Sequence, residues 1–72
     1  LKNKDIKLYK ITADYRKDNP KKPQYYVWGR TKKEAKDRFN NLISCLKIYD
    51  VEVCDDSVVI KITAEPLKHI II

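Results

Sequence analysis

Residues 6–15, IKLYKITADY, alternate with period two: Tyr9, Ile11, Ala13 and Tyr15 fall on one side, Lys10, Thr12 and Asp14 on the other. That is the pattern of a strand with one buried face. Asp18, Asn19, Pro20 and Pro23 then interrupt any ladder, because proline lacks the amide donor and Asn and Asp favour turns. From Tyr25 to Arg30 the residues are β-prone again, so the expectation is a β-hairpin with a long basic loop.

A helix signal follows. Thr31 and Glu34 form T-x-x-E, in which the hydroxyl and the carboxylate satisfy orphan amides at a helix start. Ala35, Phe39, Leu42, Ile43 and Leu46 then recur on one face of a helix of about sixteen residues. The opposite face carries Lys32, Lys33, Lys36, Asp37, Asn40 and Asn41 and should be wet. Alternation resumes in IYDVEV, with Tyr49, Val51 and Val53 opposite Asp50 and Glu52. Asp55, Asp56 and Ser57 read as a turn into VVIKIT, where Val58, Ile60 and Ile62 alternate with Val59, Lys61 and Thr63, a second hairpin. Glu65-Pro66 breaks that run, and residues 67–72 read as an extra edge strand or a tail.

The expected fold is a single α+β domain over residues 1–72, in the order β-β-α-β-β, with one helix packed on one face of a mainly antiparallel sheet. One helix leaves the second sheet face open. In the second strand Tyr25 and Val27 share a side, and Tyr26, Trp28 and Arg30 share the other. If Tyr25 and Val27 meet the helix, Tyr26 and Trp28 become an exposed aromatic platform for stacking unpaired bases. If the register is reversed, the pair forms the core.

Charge sharpens this picture. The net charge is +6, but residues 1–47 hold fourteen Lys and Arg against five acids, a balance of +9, while residues 48–72 hold two against five, a balance of −3. Arg16, Lys17, Lys21 and Lys22 crowd the first loop, and Arg30, Lys32, Lys33 and Lys36 surround the start of the helix. Such clusters attract phosphates. A nucleic-acid-binding surface built from these residues with Tyr26 and Trp28 is the leading expectation, DNA ahead of RNA. A protein-interaction or inhibitor module using a strand edge and the apolar tail Leu67, Ile70, Ile71 and Ile72 is the alternative, with a homodimer through that C-terminal edge as one form of it.

Catalytic chemistry is not visible. The chain has one histidine, His69, and one glycine, Gly29, which leaves no phosphate-cradling loop and no nucleophile with an adjacent base. Cys45 and Cys54 lack metal-ligand spacing and read as reduced thiols. The expectation is a non-enzyme with no cofactor and no metal. The N-terminal residues alternate rather than forming a secretory signal, and apolar runs such as Ile70–Ile72 are far too short to span a bilayer. Cytoplasmic residence and no membrane partner are therefore expected.

The segment from Tyr9 to Phe39, with TKKEA at Thr31–Ala35, resembles the arm-type DNA-binding domains at the N-termini of tyrosine recombinases, small sheets followed by a helix. The resemblance implies DNA contact. The chain departs from that pattern with two strands before the helix in place of three and with the sequence that follows residue 47, so no family is assigned. The Lys, Asn, Ile and Tyr content suits a phage or mobile element of an AT-rich bacterium.

Overall fold

The computed structural model describes residues 6–15 and 23–72. In chain order these form β1 (Lys7–Asp14), β2 (Gln24–Gly29), α1 (Lys32–Leu42), β3 (Lys47–Val53), α2 (Asp56–Ala64), a 3-10 turn (Pro66–Lys68) and β4 (Ile70–Ile71). The strands make one sheet in the order β3-β1-β2-β4. Strand β1 is antiparallel to both β2 and β3, and β4 joins β2 in parallel. The α+β class and the mainly antiparallel sheet are as the periodicity indicates, and the C-terminal residues supply the extra edge strand.

The second hairpin does not form. Residues 56–64 are helical, and the physical reason begins at Asp55, whose Oδ1 accepts the Val58 amide at 2.9 Å and the Ser57 hydroxyl at 2.8 Å. The acidic cluster that resembles a turn is therefore a helix cap. Val59 and Ile62, three residues apart, then reach the sheet on one side of the helix. Helix propensity costs a β-branched residue only up to about 0.7 kcal/mol relative to alanine. Burying an aliphatic side chain returns about 1.5–3 kcal/mol, and Ile62 also covers Leu8 and Tyr26 from water. Packing outweighs local preference here.

The sheet consequently has two cores. On one face Tyr9, Ile11, Ala13 and Val27 pack against Ala35 and Phe39 of α1, with Tyr25 tilted onto Phe39 at 5.1 Å between ring centroids. On the other, Leu8 and Tyr26 pack against Ile62 of α2, with Trp28, Cys54, Val59 and Ile71 around them. Coverage of both faces corrects the expectation of a single helix on one face.

Three smaller departures have local causes. Helix α1 ends at Leu42, short of the expected sixteen residues, because Ile43 leaves helical geometry after Asn40 and Asn41, residues that compete for backbone hydrogen bonds. Leu42 is 64% exposed and so lies outside the core, whereas Ile43 and Leu46 still pack on the first core from beyond the helix. Tyr15 lies beyond the end of β1 and is exposed. In β3 the register shifts between Thr12 and Ala13, which pair with Asp50 and Ile48, so Tyr49 is an extra, bulged residue. Ile48, Val51 and Val53, rather than Tyr49, Val51 and Val53, share the α1 side.

The lone glycine sits where β2 meets α1. A Cβ at Gly29 would lie 3.1 Å from the Ala35 amide nitrogen and 3.3 Å from its Cα. Those atoms belong to a helix backbone and cannot turn aside. Gly29→Ala should therefore destabilise the fold by about 1–3 kcal/mol, read as a lower urea midpoint; an unchanged midpoint would mean that α1 is not held this close.

Candidate nucleic-acid interface

Thr31 caps α1, its Oγ1 accepting the Glu34 amide at 3.0 Å. The Glu34 carboxylate reaches back to the Arg30 amide at 2.9 Å, one residue earlier than the cap itself. On the other side, the Tyr9 hydroxyl donates to the Arg30 carbonyl at 3.4 Å. The junction between β2 and α1 is thus tied to the central strand, and it carries the basic residues on a fixed frame.

Of the residues singled out from sequence, Arg30, Lys32, Lys33 and Lys36 are exposed and close together in sequence over the end of β2 and the first turns of α1. Arg16, Lys17, Lys21 and Lys22 lie outside the described residues. Lys33 pairs with Asp37 at 3.3 Å, a surface contact in which both side chains stay largely in water, worth no more than about 1 kcal/mol. Lys32 and Lys36 are one helical turn apart. With Asn40, they line an open groove of about 560 Å³ between α1 and β3, whose β3 wall is Ile48, Tyr49, Asp50 and Val51.

Tyr26 and Trp28 do not form a platform. Tyr25 and Val27 do face α1, which is the parity that would have exposed the pair. But α2 packs over part of the opposite face: Tyr26 is 7% exposed and Trp28 is half-buried against the second core. His69 closes on Tyr26 edge-on, at 5.5 Å between ring centroids. The Tyr26 ring has no free face for stacking bases and is withdrawn from the candidate site, while Trp28, half-buried beside a cavity lined by Ile6, Lys7 and Val59, no longer has it as a stacking neighbour.

Another aromatic takes up a position at the groove. Tyr49, bulged from β3, lines it half-buried, and the Lys47 ammonium lies 5.6 Å from its ring centroid. The alternation of IYDVEV gave no sign of this, because a bulge reverses which residues face the helix. The Lys32, Lys36, Asn40 spacing of four was present in the sequence and identifies the helical stripe beside the groove.

Electrostatics elsewhere are local. The Glu52 carboxylate accepts a hydrogen bond from Lys10 at 3.1 Å and lifts its pKa above the ordinary lysine range. Hydrogen bonds from the Val58 amide and the Ser57 hydroxyl hold the Asp55 carboxyl below the ordinary aspartate range. Burial pushes the Cys54 thiol up, away from the reactive thiolate. Both cysteines are free. Among the described residues no cluster of His, Cys, Asp or Glu could hold a metal, and no helix is long and apolar enough to cross a membrane. In the C-terminal segment Leu67 and Ile70 are exposed, while Ile71 and Ile72 are partly buried on the two cores.

No protein-family model, curated protein or solved structure matches the chain. The geometry therefore carries the functional reading.

If α2 seals the second face, Trp28 emission should be blue-shifted in the folded protein, weakly quenched by iodide, and should move to the red on unfolding. Strong iodide quenching in the folded state would restore the exposed platform.

Proposed function

We propose that the chain is a non-enzymatic binding module that holds nucleic acid at the β2–α1 junction and along the groove between α1 and β3. The supporting observation is an arrangement unfavourable in the free protein. Lys32, Lys33 and Lys36 crowd the first turns of α1 with Arg30 just before them, at the positive end of the helix dipole, where acids are preferred. Lys32 and Lys36 also form a like-charge pair at i, i+4, which costs a few tenths of a kcal/mol. A polyanion removes both penalties at once. Phosphates would meet Arg30, Lys32, Lys33 and Lys36, and the helix start adds backbone amide donors.

The same reading includes Arg16, Lys17, Lys21 and Lys22, which add to the basic sequence ahead of β2 and lie outside the described residues. Without an open aromatic face, backbone contact to duplex nucleic acid fits better than stacking of unpaired bases, and DNA is preferred to RNA on the recombinase-like TKKEA segment. Tyr49 is the aromatic residue left beside the basic stripe. The chain would work in the cytoplasm with its thiols reduced.

Binding to a short DNA duplex should weaken linearly in log–log form as salt rises. The paired change Lys32→Ala and Lys36→Ala should make that slope shallower by about 2 and weaken binding across all sequences alike. Fluorescence anisotropy over a salt series checks this. Undetectable binding at low salt, or an unchanged slope in the double variant, would remove the proposal.

A further inference from the structure

The two edges of the sheet are unequal. One is closed by β4, only two residues long, while the other is β3, seven residues long, with no described strand on its outer side. Long open edges accept further strands. The hydrogen-bond pattern fixes which groups are offered. The Cys54 amide donates to the Leu8 carbonyl at 2.8 Å, and residues that exchange ladder bonds alternate along an antiparallel pair. Cys54, Glu52 and Asp50 thus turn their backbone groups toward β1. Val51 and Val53 turn theirs outward.

The side chains flanking this edge define what can pair with it. On the α1 side lie Val51, half-buried, and Val53, 51% exposed. On the other side lie the exposed carboxylates of Asp50 and Glu52, the latter shared with Lys10. A second copy is a poor occupant. A twofold antiparallel pairing with Val51 opposite Val51 sets Asp50 against Glu52, and one with Val51 opposite Val53 sets Glu52 against its own copy. Like charges directly opposite one another are destabilising.

From these observations we infer that the outer edge of β3 receives an extended segment of a partner protein. That segment alternates apolar side chains, laid over Val51 and Val53, with Lys or Arg facing Asp50 and Glu52. Its backbone pairs with the outward amides and carbonyls of Val51 and Val53. This site adjoins the groove of the nucleic-acid reading, which Asp50 and Val51 also line, but it does not rest on that reading, because it requires the carboxylates and backbone groups of β3 and not the lysines of α1.

The chain's net charge makes the test discriminating. At +6, undirected attraction favours an acidic peptide, whereas the β3 edge favours a basic one. The probes are a short synthetic peptide alternating Val with Lys and a control alternating Val with Glu, each titrated into the nitrogen-15-labelled full chain. The Val/Lys peptide should shift the Val51 and Val53 amide signals and slow their hydrogen exchange, and the Val/Glu peptide should not. Asp50→Asn with Glu52→Gln should bind the Val/Lys peptide about tenfold more weakly. Val53→Pro, which removes an outward donor and no ladder bond, should abolish binding while circular dichroism stays native. If Val53→Pro unfolds the chain, the carboxylate variant alone decides. Equal or tighter binding of the Val/Glu peptide, silence at Val51 and Val53, or undiminished binding by the carboxylate variant would overturn the inference.

Discussion

The structure depends on one requirement: β1 must be covered on both faces. Leu8 and Tyr9 are adjacent, point to opposite sides of the sheet and are both buried, at 0% and 4% exposure. Ile11 and Ala13 continue the α1 side with no exposure at all. A strand with apolar groups on both faces cannot sit in a two-layer domain without leaving one set in water. Helix α1 answers for Tyr9, Ile11 and Ala13, and α2 answers for Leu8. The C-terminal residues follow from the same demand, since Ile71 of β4 adds to the α2 side and Ile72 just after it to the α1 side.

Much of this could be read from the chain, and what could not has specific causes. The β1 and β2 periodicities, the Thr31 cap, the α1 stripe from Ala35 to Phe39 and the facing of Tyr25 and Val27 are local or nearest-neighbour properties, and local rules capture them. Helix α2 was hidden because Val58, Val59, Ile60, Ile62 and Thr63 are β-branched and alternate as plausibly as they spiral. Its formation depends on tertiary cover for Leu8, Tyr26 and Trp28. One sign was present: Leu8 stands on the side of β1 otherwise occupied by Lys10, Thr12 and Asp14, and an apolar residue there asks for a second cover. The Tyr49 bulge had no comparable sign, since a bulge is set by pairing with β1 and not by the strand's own composition.

Sealing the second face changes how the charge asymmetry is interpreted. An open aromatic sheet would have invited single strands, with the lysines as accessories. With Tyr26 and Trp28 packed against α2, the exposed cations at the β2–α1 junction become the principal feature, set at the positive end of the α1 dipole. Beyond the groove, the edge of β3 presents outward backbone groups and, on the face away from α1, the Glu52 carboxylate shared with Lys10. The sequence shows the same unevenness of charge, +9 over residues 1–47 and −3 over residues 48–72.

The most direct test of this account is an amide and indole NMR titration of the full chain with a short DNA duplex at low salt. The signals of Arg30, Lys32, Lys33 and Lys36 should move together while the Trp28 indole and the Tyr26 amide stay in place. Large shifts at Trp28 and Tyr26 with a quiet α1 would contradict the sealed face and the reading built on it.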